Sequence, residues 1–489
     1  MEPIGTITQY FPFIDSETRN VLKEVMDQSS DYYDFATRLS ELVVNTDCPV
    51  MVVYFSIHHC MLTLKYRVIV DQIQEKYGDH QILGPHLFFA SAYQGKFEDI
   101  TKVHELADKI LDTEPEDWIA LEMNFWKFEA DMRNYPTTMY ETATMDRIQE
   151  LIGSNPDFKF YEIVLNDYLE IRAHADGNSE ERIRCLDKGI ELAQQLDDRL
   201  RLAHLNVRKA NIILNRDRKE SRRLLEQAYE INDASMGIPF MFAETIYNLS
   251  ILDGIRGDFD RAIERCLKTV TIREREDLNT GNASYYLSVY YNMIGDPESG
   301  LEWGRMAEEQ MRSRPYLINR TILCQIWSLI ILDRLAEASV LLDMIREPIM
   351  KSGDETHLAW LHFVTGIYES QEGNTSMALS SIDQALRIYE SQGSGFLHEL
   401  VFLYYLAKIE ITSDDPEVVS PSLALLEEKA ESENLPGILG LALLLKGDLA
   451  VRTNDEESLR EIIPQIQRLI ENENLKYIES RFESLQRKL

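Results

Sequence analysis

Along most of the chain, apolar residues recur at intervals of three and four, the spacing that gathers them on one face of a helix. In His357 to Ser391, Trp360, Phe363, Val364 and Ile367 form one such stripe, Gly373-Asn374 interrupts it, and Met377, Ala378, Ile382, Ala385, Leu386 and Tyr389 form a second. Strand alternation is sustained nowhere, so the chain reads as all-α. Breaks rich in Gly, Asp and Asn recur at Gly95, Asn134, Gly177, Asn215, Gly257, Gly295, Asp333, Gly373, Asp414 and Asn454, always 38 to 43 residues apart. A fixed period of this size marks a repeat array, here of about 10 to 12 helical hairpins. One hairpin cannot bury both its faces, so each is stable only against its neighbours.

The hairpin at Gly373 carries a family resemblance. Gly366, Gly373, Ala378 and Ala385 stand at the small-residue and turn offsets of a tetratricopeptide repeat, and Ile382 stands at its large apolar offset. The hairpin at Gly257 is similar, with Leu249, Ser250, Phe259, Ala262 and Cys266. The one at Gly295 has Leu287, Ser288, Tyr291 and Ala307, but Gly300 where alanine is usual. Phe97 and Ala107 are kept near Gly95, and Gly447 near Asn454. The period is longer than the family's usual one and resembles the sensor arms of large prokaryotic signalling regulators. The resemblance implies a right-handed α-α solenoid. It divides the chain into divergent capping hairpins at 1–79, degenerate repeats at 80–238, clear repeats at 239–470 and a closing helix at 471–489.

Composition narrows the function. Fifty basic residues against 83 acidic ones give a net charge of −33. Such a field disfavours nucleic acid and anionic membranes and suits a partner of basic character, or simply keeps a long array soluble. The five cysteines are scattered with no C-x-x-C, as in a reducing compartment. The amino terminus has no signal-peptide pattern and no apolar run is long enough to span a bilayer, so a cytoplasmic protein is expected. Phosphate-loop, dinucleotide, kinase, nucleophile-elbow and H-E-x-x-H signatures are missing. His58-His59-Cys60 is the densest ligand-type cluster, yet adjacent helical residues point about 100° apart. No metal, cofactor or enzymatic activity is expected.

The resemblance also implies that the first helix of each hairpin lines a concave groove. Its groove offsets fall on Tyr247, Tyr285, Asn292, Trp327, Trp360, Phe363 and Tyr404. Such an aromatic stripe suits an amphipathic helix or extended peptide. The same residues can instead wedge between first helices as core, and accessibility separates the two. The family's carboxylate clamp needs Lys, Asn and Arg on neighbouring first helices, whereas Arg320 and Lys408 lie two hairpins apart. The expected function is a scaffold or adaptor holding another protein or peptide. A sensor of a small molecule or signalling peptide, favoured by a closed pocket, and an enzyme with an unfamiliar site are the alternatives.

Overall fold

A computed structural model describes residues 12, 14–30, 32–62, 67–80, 83, 87, 101–133, 142–234, 239–275, 278–312, 315–392, 396–412 and 420–488. The breaks expected at Gly95, Asn134 and Asp414, together with Phe97, lie outside them, as do the side chains of His58, His59 and Cys60. Among the described residues there are helices and no strands, and no helix is long and apolar enough to cross a membrane.

The chain forms two compact units. One comprises residues 1–245 with 275–278, the other residues 246–274 with 279–489. The first holds α1 (Ser16–Gln28), α2 (Tyr32–Asn45), α3 (Val50–Leu62), α4 (Arg67–Tyr77), α5 (Thr101–Leu111), α6 (Asp117–Arg133), α7 (Thr142–Ser154), α8 (Tyr161–Ala175), α9 (Ser179–Gln195), α10 (Arg199–Ile213) and α11 (Arg218–Ala234). The division between the units falls within α12 (Pro239–Arg256). The second unit continues with α13 (Phe259–Arg275), α14 (Gly281–Ile294), α15 (Pro297–Met311), α16 (Pro315–Ile331), α17 (Leu335–Ser352), α18 (Glu355–Gln371) and α19 (Thr375–Gln392). It ends with α20 (Phe396–Thr412), α21 (Pro421–Ser432), α22 (Pro436–Thr453), α23 (Glu456–Glu473) and α24 (Glu479–Gln486).

The turns follow from backbone chemistry. Gly177, Gly257, Gly295, Asp333, Gly373 and Asn454 all have positive φ, which glycine adopts freely and Asn or Asp tolerate. Most are followed directly by an Asx residue that caps the next helix. Asp296 Oδ1 accepts from the Ser299 amide at 3.1 Å and Asp455 Oδ1 from the Ser458 amide at 3.0 Å. Meanwhile the Asp296 amide donates back to Tyr291 O at 2.9 Å, and the Asp455 amide to Ala450 O at 2.8 Å. Two residues thus end one helix, satisfy its last carbonyls and start the next, with each cap stabilising by about 1 kcal/mol.

Tight pairing explains the small residues. A Cβ on Gly366 would meet Ile382 Cγ1 at 2.5 Å and Ala378 O at 2.9 Å, so α18 and α19 approach only because Gly366 has no side chain. In the second unit α14, α16, α18, α20 and α22 form an inner row, each first helix packing on the next. These are paired helical hairpins stacked in a row.

Candidate functional site

The inner row of the second unit is where a partner groove was expected. Its side chains are buried by the protein itself: Tyr285 is 2% exposed, Trp327 0%, Trp360 1%, Phe363 0%, Tyr404 6% and Asn292 3%, and only Tyr247 is half-buried. Trp327 packs edge-on against Phe363 (centroids 5.4 Å) and Tyr405 (5.6 Å), and Phe363 stacks on Phe402 at 4.4 Å. An open trough lined by those six residues is therefore not what the inner row presents. The reason is curvature. Tyr285 on α14 reaches His398 on α20, three first helices further along, with Tyr285 Oη 3.3 Å from His398 Nε2. His398 Nδ1 lies 3.0 Å from Tyr389 Oη, and the ring stacks on Tyr286. Burial, reinforced by nearby Arg320, pushes the His398 pKa down to about 3, so the imidazole is neutral at physiological pH. Arg320 itself lies over the Tyr285 ring at 4.6 Å and donates to Asn282 Oδ1. Bulky aromatics at the inner offsets fill the axis of the unit.

The unit also closes on itself. Gly257, in its first hairpin, meets Gly437, at the start of α22, so closely that a Cβ on Gly257 would lie 2.5 Å from Ile438 N. Arg256 pairs with Glu473 at 3.2 Å. Tyr477 seals the junction: its ring packs on Phe259 at 5.3 Å, its amide donates to Asp260 Oδ2 at 3.3 Å, and its hydroxyl donates to Gly437 O at 3.0 Å. Burial, with Asp260 and Asp258 nearby, raises the Tyr477 pKa well above its ordinary value, so the hydroxyl keeps its proton.

Beside this junction a cleft of about 260 Å³ remains, lined by residues that include Asn292, Tyr404, Lys408, Leu441, Tyr477 and Arg481. Two of the anticipated residues, Asn292 and Tyr404, therefore do meet at one place. Arg481 donates to Tyr404 Oη at 2.9 Å and to Asp448 Oδ2 at 3.1 Å. Burial works against its charge, but Tyr404 and Asp448 outweigh burial and raise its pKa. Lys408 is exposed, its ammonium 5.3 Å from the Tyr405 ring centroid, and it has no carboxylate within ion-pair distance among the described residues.

Asn292 is held by a polar cluster that explains an irregular repeat residue. Its Oδ1 accepts from Ser328 Oγ at 3.0 Å, and Ser288 Oγ donates to Gly300 O at 2.7 Å. A Cβ on Gly300 would stand 2.6 Å from Asn292 Oδ1, so glycine replaces the usual alanine to house the amide. The Nδ2 of Asn292 is buried without a protein partner.

Sequence reasoning had Asn292 and Tyr404 but not Arg481 or Tyr477, which come from the closing segment. The Arg320–Lys408 spacing does not matter to this site, because Arg320 faces Tyr285 and the second cation is supplied by Arg481. Among the described residues no group of three His, Cys, Asp or Glu could hold a metal ion.

No protein-family model matches the chain, and no curated protein is significantly similar to it. Solved structures of similar shape include a Rap protein complexed with competence and sporulation factor, at 12% identity over 67% of this chain and 98% of that one, with a TM-score of 0.45. Aspartyl phosphate phosphatase F from Bacillus subtilis is similar at 12% identity over 82% of this chain and 95% of its own, with a TM-score of 0.40. A STAND signal-transduction ATPase with a tetratricopeptide repeat sensor, from Pyrococcus horikoshii, is similar at 10% identity over 97% of this chain and 67% of that one, with a TM-score of 0.36.

Proposed function

We propose that this chain is a non-enzymatic interaction protein whose second unit is a closed, regulated platform rather than a long peptide trough. The observation that carries the reading is the contact of Tyr285 with His398 across the inner row, which occupies the space an extended peptide or helix would take. A partner protein then meets the outer surfaces, where the net charge of −33 favours a basic one. Capture of partners from lysate at low and high salt tests this. Specific recovery that weakens as salt rises is the expected result, and partners lost instead on Trp327→Ala, without unfolding, would point back to the inner row.

The sensor reading is favoured by a specific observation of its own. The cleft beside Tyr477 is small, has a polar and cationic wall, and borders the contacts that close the unit. A ligand there would act on closure, and through closure on whatever surface the partner reads.

A further inference from the structure

The cleft's chemistry specifies its occupant. At about 260 Å³ it is below the roughly 300 to 1,000 Å³ that drug-sized ligands fill, so the occupant is smaller than those. Part of the wall is apolar, with Leu441, Met293 and Ile331. Opposite chemistry comes from Lys408, which has no carboxylate within ion-pair distance among the described residues, and from Arg481, which already shares its donors between Tyr404 and Asp448. The described lining of the cleft holds these two cations and no carboxylate. Asn292, 3% exposed, also lines the cleft, and its buried Nδ2 has no partner among the described residues. A buried donor left unpaired is costly, and a water or a ligand oxygen removes that cost.

We infer that the cleft beside Tyr477 binds a small free organic anion, a carboxylate or phosphate monoester with a compact apolar body, and that its binding tightens the closure of the second unit. This rests on the sensor reading above. The anion is held by Lys408 with help from Arg481 and the Asn292 amide, while its body lies against Leu441 and Met293. A free molecule is specified rather than the end of a peptide, because the aromatic core fills the adjoining axis and leaves no trough for the rest of a chain. Closure is coupled because Tyr477 belongs to both places: it lines the cleft and makes the Phe259, Asp260 and Gly437 contacts. A ligand that binds only the closed form stabilises it by mass action.

The test is ligand-observed NMR on the full chain with phenylacetate, phenyl phosphate, the neutral phenylacetamide, and an acetylated tetrapeptide ending in phenylalanine with a free carboxylate. Hydrogen exchange at 256–260 and 473–482 is followed in the same samples. The expected result is that at least one small anion binds at least tenfold more tightly than phenylacetamide. The same anion slows exchange in both segments, and Lys408→Met, an exposed substitution that leaves the fold intact, cuts its affinity severalfold. Arg481→Lys, which keeps a charge but loses the fork, weakens binding less than Lys408→Met. Equal binding of anion and amide, no binding by either anion, or indifference to Lys408→Met overturns the assignment. Tighter binding by the tetrapeptide than by the small anions makes the cleft a socket for a chain end instead. Anion binding without slowed exchange keeps the site but removes the link to closure, so the chemical proposal and the sensor reading fail separately. Partner capture is scored independently of both.

Discussion

The hairpins turning at Gly177 and Gly373 solve the same packing problem with opposite chemistry. At Gly373 the two helices approach through Gly366 and Ala378, which lack the side chains that would hold them apart. At Gly177, in the other unit, the matching offsets are Glu170 and Arg182. Glu170 is fully buried, and Arg182 Nε donates to its Oε1 at 2.7 Å. Arg208, at the same offset of the next hairpin, also donates to Glu170 and to Asp167. Burial opposes charge on Asp167, but His204 and Arg208 outweigh it and hold that carboxyl below its ordinary pKa. The hairpin at Gly373 therefore joins its helices by contact between small residues, and the hairpin at Gly177 by a chain of ions. A repeat offset fixes where two helices meet and leaves open what fills the gap. Small residues need no partner, whereas an ion pair fails completely when either half is lost.

The largest expected effect follows from that asymmetry. Glu170→Ala leaves Arg182 and Arg208 without their buried partner and should destabilise the first unit by about 3 to 5 kcal/mol in chemical denaturation. A loss near zero would mean that the ions are ornament and that apolar contacts hold the hairpin. Gly366→Ala comes next, at about 1 to 3 kcal/mol, because the new methyl must displace Ile382 or the α19 backbone. The two should differ in salt response. Added salt weakens the partly exposed arginine pairs of the first unit but leaves the Gly366 contact unchanged.

This contrast also marks what was legible beforehand. The 38-to-43-residue rhythm and the break residues come from turn chemistry written in single residues, so Gly177, Gly257, Gly295, Asp333, Gly373 and Asn454 read directly as left-handed turns. Their counterparts between hairpins, Asp197, Asn434 and Asn474, take the same conformation but were hidden among ordinary polar residues. The repeat at Gly177 reads as degenerate because a search for small residues cannot see the Glu170–Arg182 pair doing the same job. What the groove offsets face was not legible for a different reason. Offsets within a hairpin say which face a side chain occupies but not how tightly successive hairpins curve. Tyr285 meets His398, 113 residues later, only because the inner row bends enough to bring α14 and α20 together. Arg481 and Tyr477 joined the cleft through the same closure, and nothing local to them announced it.

Smaller effects sharpen the picture further. Gly373→Ala forces an alanine into positive φ and should cost about 1 kcal/mol, with open space around the new methyl and therefore no added clash. Acidification probes the aromatic axis. His398 titrates near 3 in the folded protein and in the ordinary histidine range when unfolded, so the unfolded state binds more protons between those values. Stability of the second unit should thus fall as pH drops from 7 towards 4. Buried His357 and half-buried His362, also lowered, add to the slope. His398→Gln should flatten part of that fall while leaving the carboxylate-driven loss at lower pH. A profile unchanged by the substitution would place His398 in water rather than among Tyr285, Tyr389 and Trp360.

The claim that the second unit is shut is tested most directly by a distance across its junction. Spin labels at Arg256→Cys and Glu473→Cys, in a background with the native cysteines replaced, report it by pulsed dipolar spectroscopy. A single short, narrow distance is the outcome the account requires, since the two side chains pair at 3.2 Å and flank the Gly257–Gly437 contact. A long, broad distribution in the unliganded protein would contradict it, and would return the aromatic inner row to the role of an open groove.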